Sequence, residues 1–144
     1  MPLAFSTKAA TLLALKGVLK SAQISPAVVF TIDDWQADKQ ACLNRIADSL
    51  GSGPWIVRSS CGLEDTREES NAGSFLSILN VSVKEMSRSI ERVIESYGAA
   101  SESDEVLIQP MLTDVVRSGV AFSHDPNTCA PYRVVNWSVG PDTS

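Results

Sequence analysis

Three short apolar runs follow one another near the end of the chain with no helix between them: VLIQPML at 106–112, SGVAFSH at 118–124 and YRVVNWS at 132–138. Each is rich in the β-branched and aromatic residues that suit a pleated, half-buried surface. Parallel neighbours in a sheet need a long crossover, usually a helix. The gaps here, 113–117 and 125–131, are too short for one, and the second is a turn, DPNTCAP. The spacing argues against a doubly wound sheet and for an α+β fold with a mainly antiparallel sheet.

The rest of the chain fits that class. Thr7–Lys20 reads as a helix, with Ala9, Leu12, Leu13 and Leu19 at helical spacing and Ser6 as its cap. AVVFTI after Pro26 is a buried-strand run. Asp33 with Gln36 predicts the start of a second helix, which carries Cys42, Leu43, Ile46, Ala47 and Leu50 as its stripe and stops at GSGP, 51–54. WIVRSS at 55–60 and SFLSILNV at 74–81 read as strands. Ser82 and Glu85 form an S-x-x-E start for the clearest amphipathic helix, with Val83, Met86, Ile90, Val93, Ile94 and Tyr97 on one side. About three helices are therefore expected. Pro110 cannot donate to a ladder, so its strand should end, bulge or lie at an edge there.

Composition narrows the function. The 144 residues suit one domain, and 44% hydrophobic with 20% charged residues describes an ordinary globular chain. A net charge of −5 argues against general affinity for nucleic acid. No apolar run is long enough to span a membrane, and Met1–Ser6 lacks the pattern of a secretory leader, so a cytoplasmic location is expected. Cys42, Cys61 and Cys129 form no CxxC pair and His124 is the single histidine, a poor basis for a zinc site or a catalytic triad.

The chemistry-bearing stretch is VRSSCGLEDTREESNAGSFLSILNV, 57–81. Arg58 stands at a strand end, followed by Ser59, Ser60 and a long polar run containing Gly73. A guanidinium offers a planar fork of donors that matches phosphate, and serine hydroxyls add more. Glycine lets the backbone come close to a ligand. The plain alternative is a surface arginine paired with Glu64 or Asp65. The stretch has neither a G-x-x-x-x-G-K-[ST] nor a G-x-G-x-x-G motif.

The same stretch resembles the N-terminal nucleotide-binding region of the phosphoenolpyruvate synthase and pyruvate phosphate dikinase family. That family carries V-R-S-S, E-D, A-G and L-N-V in order, matched here by Val57–Ser60, Glu64–Asp65, Ala72–Gly73 and Leu79–Val81. VLIQPMLTDVVRSGVAFSHDP is similar to the family's second block, V-x-V-Q-x-M-V followed by S-G-V-x-F-T-x-D-P. STKAATLLAL with PAVVFTIDDW resembles its first, G-G-K-G/A-x-x-L and P-x-G-F-V-V/I-T. The three blocks are collinear over nearly the whole chain.

The resemblance implies a partial ATP-grasp fold, with 1–105 as a first lobe and 106–144 as a hinge strand and the start of a second. It implies ATP as ligand, with Lys8 and Arg58 on the phosphates and Ala72, Gly73 and Ser74 in a loop over them. The backbone of Gln109, Met111 and Leu112 would meet the adenine edge; for Met111, plain core packing is an equal alternative. Arg58 would also stabilise the phosphoryl group in transfer. Mg2+ would be held by carboxylates beyond Ser144, so the chain resembles the truncated front of a longer enzyme and is expected to be inactive alone. The partners implied are downstream phosphohistidine and acceptor-binding domains, with pyruvate, a glucan or an antibiotic as acceptor, and a homodimer is one assembly open to it. Ser6-Thr7-Lys8 departs from G-G-K, which favours a second reading: a binding or interaction module with a degenerate ATP-grasp fold and no catalysis. His124 is read as an ordinary loop residue.

Overall fold

The computed structural model describes residues 7–60, 65–66, 69–70, 76–98, 101 and 104–140. The chain divides into two compact units, Met1–Met111 and Leu112–Ser144.

The first unit is built on a four-stranded antiparallel sheet. Its strands are β1 (Val28–Thr31), β2 (Trp55–Ser60), β5 (Ser77–Val81) and β6 (Glu105–Pro110), in the order β1-β6-β2-β5. A two-residue-strand hairpin, β3 (Asp65–Thr66) and β4 (Glu69–Ser70), lies between β2 and β5 in sequence. The last strand in sequence is inserted between the first two, with Val28 opposite Ile108 on one side and Val57 opposite Ile108 on the other. Pro110 ends this central strand, where its missing N–H breaks no interior ladder.

The helices are α1 (Lys8–Leu15), α2 (Ile32–Ala37), α3 (Lys39–Leu50) and α4 (Met86–Glu95), the last preceded by a 3-10 turn at Val83–Glu85. The helix expected to begin at Asp33 is two helices. Thr31 caps the first, accepting from the Asp34 N–H while the Asp34 carboxylate takes the Thr31 N–H. Asp38, at φ −154°, breaks the run and caps the second by accepting from the Ala41 N–H at 2.9 Å. Two short polar caps therefore outcompete one continuous stripe. Gly51, at φ +74°, stops α3 in the left-handed region where a side chain is strained. Thr7 rather than Ser6 caps α1, and α1 stops at Leu15 rather than Lys20.

One face of the sheet packs against α3 and α4. Val28, Phe30, Val57, Val106 and Ile108 meet Cys42 and Ile46 of α3 and Met86, Ile90 and Val93 of α4. On α4 the buried residues, Met86, Ser89, Ile90 and Val93, recur at i, i+3, i+4 and i+7, one continuous stripe. Burial of each aliphatic side chain contributes about 1.5–3 kcal/mol. Trp35 of α2 stacks on Phe30 with ring centroids 5.8 Å apart.

The second unit contains an antiparallel hairpin of β7 (Arg117–Phe122) and β8 (Val134–Val139), in register from Arg117 opposite Val139 to Phe122 opposite Val134. Asp125 organises its turn, accepting from the N–H groups of Asn127 and Thr128. Those bonds hold its carboxyl below the usual carboxylate range.

Candidate functional site

Side chains alternate across a strand, so the residues opposite the helical core follow from the register. Arg58 shares that second face with its cross-strand partners Leu107 and Ser77. Ile56 pairs there with Gln109, and Ser60 with Glu105. Leu107 is fully buried and Gln109 nearly so. This face therefore has its own apolar floor, into which Arg58 projects half-buried. The Arg58 Nε is buried and has no hydrogen-bond partner among the described residues.

The start of α1 is tied to the same strand ends. The Ala9 N–H donates to Ser60 Oγ at 2.9 Å, and Thr7 Oγ1 donates to Glu105 Oε2 at 2.7 Å. Ser60 Oγ lies 3.3 Å from the same carboxylate oxygen. Tyr97, just after α4, accepts from the Ser60 N–H at 3.0 Å and donates to the Glu105 carbonyl. The Ala9–Ser60 bond thus fixes the helix end carrying Lys8 two strand residues from Arg58. Lys8 is half-buried.

This network reassigns part of the sequence reading. Ser60 is fully buried and engaged by α1, Glu105 and Tyr97, and Ser59 is buried on the opposite face. Neither hydroxyl is presented beside Arg58 as an anion donor. The N–H groups of Ala9 and Ala10 are also taken, by Ser60 Oγ and Thr7 Oγ1. The first turn of α1 therefore offers less to a phosphate than a bare helix start does. Thr7, Glu105 and Tyr97 escaped sequence analysis. Tyr97 reads from the sequence as one more apolar position of its helix.

Gln109 and Met111 lie at the far end of β6. The Gln109 carboxamide Nε2 is 3.5 Å from the Ser25 carbonyl, and the Met111 N–H donates to the Pro54 carbonyl at 2.9 Å. Of the backbone donors expected to meet a base, that one is already committed. Leu112 begins the second unit and is 65% exposed. Ala72, Gly73 and Ser74, as well as Glu64, lie outside the described residues. Among the described residues no group of three or more His, Cys, Asp or Glu could hold a metal ion, and no helix is long and apolar enough to cross a membrane.

A family model described as pyruvate phosphate dikinase, AMP/ATP-binding domain, matches residues 14–143. The match covers all of the site residues above except Lys8 and its neighbours at the start of α1. No curated protein and no solved structure matches the chain.

Proposed function

Because the chain belongs to the pyruvate phosphate dikinase AMP/ATP-binding domain family, we propose that it is the ATP-binding part of a phosphoenolpyruvate synthase or pyruvate phosphate dikinase-like phosphotransferase. In the whole enzyme, ATP phosphate would pass to a histidine on another domain and then to pyruvate or another acceptor. The observation that carries this reading is Arg58. A buried donor such as the Arg58 Nε, left without an acceptor among the described residues, costs about 1–3 kcal/mol or more, and natural proteins keep such a group when something explains it. An anion docked on the guanidinium supplies the missing acceptors and gains paired, charge-assisted hydrogen bonds.

On this reading Arg58 holds the terminal phosphates and stabilises charge on the phosphoryl group as it moves. Lys8 adds a second cation from the anchored end of α1. Residues 72–74 would close over the phosphates, and the Gln109–Leu112 segment would meet the base. The described residues do not fit a magnesium site, so no step is assigned to the metal here.

The occupied N–H groups of Ala9 and Ala10 favour a second reading, a nucleotide-binding module without transfer. Calorimetric titration of ATP into a chain extended past residue 144, against its Arg58→Ala variant, tests the site. Loss of Arg58 is expected to weaken binding by about tenfold or more; unchanged affinity sinks the assignment. Phosphorylation of a histidine in the extended protein then separates transfer from binding alone.

A further inference from the structure

A groove of about 250 Å³ lies between β5 and α4, lined by Asn80, Glu85, Arg88, Ser89 and Arg92 along with the rest of β5's end. It belongs to the edge strand and to the helix that packs on the sheet face opposite Arg58. A β-bulge shapes it. Trp55 pairs with Val81 and Val57 with Ile78, so β5 spends one residue more than β2 over the same span. Asn80 takes up the extra residue in the left-handed region, at φ +54°. Asparagine tolerates that conformation better than most residues, and bulges of this kind redirect side chains.

The opposite wall is one side of α4. Arg88 and Arg92 stand one turn apart, both exposed, and neither makes a hydrogen bond or ion pair among the described residues. Like charges at this spacing repel by a few tenths of a kcal/mol, roughly the magnitude of a favourable i, i+4 pair with its sign reversed. Between them Ser89, 6% exposed as a residue, lines the same groove. The acid at the groove's end, Glu85, is held mainly by Ser82, and the charge of Arg88 is the smallest of the influences on its carboxyl. The Glu85 carboxylate receives the Ser82 hydroxyl at 2.6 Å and the Ser82 N–H at 3.3 Å.

We propose that this groove is a binding site for a phosphate-class anion, held between the Arg88 and Arg92 guanidiniums with the Ser89 hydroxyl and Asn80 carboxamide as further donors. Two guanidiniums one turn apart on one wall can share a single small oxyanion, and Ser89 and Asn80 bring further donors to the same groove. The volume is below the roughly 300–1,000 Å³ of pockets that enclose drug-sized ligands. The occupant proposed is inorganic phosphate or a small phosphomonoester, which two guanidiniums one turn apart can hold between them.

The test is a titration of the chain with inorganic phosphate at constant ionic strength, followed by amide nitrogen–proton NMR. Saturable shifts are expected at Asn80, Arg88, Ser89 and Arg92. The Arg88→Ala, Arg92→Ala double variant should bind at least about tenfold more weakly, with its thermal midpoint unchanged because both side chains are exposed. Ser89→Ala should weaken binding severalfold, and Arg58→Ala should leave these shifts as they are, which separates this groove from the nucleotide site. A parallel titration with glycerol phosphate distinguishes the sources, the tighter of the two being the class bound. Shifts that never saturate, or that persist in the double arginine variant, overturn the proposal.

Discussion

Tyr97 shows how much of the site rests on a residue outside it. Its hydroxyl accepts from the Ser60 N–H and donates to the Glu105 carbonyl, where β2 and β6 end side by side. Ser60 and Glu105 in turn hold the start of α1. Tyr97→Phe keeps the ring and removes only the bridge. Two partly buried backbone groups then lose their partner, which costs about 1–3 kcal/mol. Chemical denaturation should show that loss as a lower midpoint with an unchanged slope. An unchanged midpoint would mean that water replaces the phenol at no cost. At this scale the sequence was legible in part. Arg58 stands out as an arginine closing an apolar strand, because its chemistry is visible in its type. The roles of Ser60, Glu105 and Tyr97 depend on which strand ends meet, and no local spacing encodes that.

At the scale of elements, the strands and α4 were legible because each repeats one period over several residues. WIVRSS emerges as β2 with the bounds read from the sequence, and Met86, Ile90 and Val93 of the expected stripe are buried on α4, whereas Val83 lies in the 3-10 turn at 67% exposure and Ser89 joins the buried side unforeseen. The break between α2 and α3 was not legible. Asp38 carries no mark that separates a cap from a solvated helix residue, and only its extended backbone distinguishes the two. The bulge in β5 was hidden for the same reason, since Asn80 within LNV looks like any strand residue. The turn before α4 gives a pH-dependent prediction. Its Glu85 carboxyl is held below the usual range, first by the Ser82 hydroxyl and then by the Ser82 N–H. A carboxyl whose pKa is lower folded than unfolded stabilises the fold above the unfolded value of about 4.5. That contribution fades as pH falls through the lower folded value. Thermal melts from pH 6 down to pH 3 should therefore show a smaller acid-induced drop in Glu85→Gln than in the parent chain. Equal slopes would mean that the Ser82–Glu85 contact does not persist in solution.

At the scale of the whole molecule, the two units differ in what holds them together. The first closes a four-stranded sheet over α3 and α4, and Val106, Leu107 and Ile108 at its centre are fully buried. In the second, Val120, Val135, Trp137 and Val139 are all more than half exposed. Its hairpin relies on ladder bonds, on Arg117 lying 5.1 Å over the Trp137 ring, and on a close approach at Gly119, where a Cβ would come within 2.2 Å of the Asn136 carbonyl. Isolated two-stranded hairpins are marginal in water, and segments with few buried apolar contacts open locally at low free energy. Amide hydrogen exchange should therefore separate the two units. Leu107 and Ile108 should exchange only through global unfolding, while Val120, Ala121 and Val135 exchange through local opening, faster by about a hundredfold or more, the equivalent of roughly 3 kcal/mol. Protection of β7–β8 equal to that of β6 would show one cooperative body instead. The sequence placed β6, β7 and β8 in a single row, yet their burial separates them. Periodicity reports the face a strand can bury and says nothing of whether a neighbour arrives to cover it.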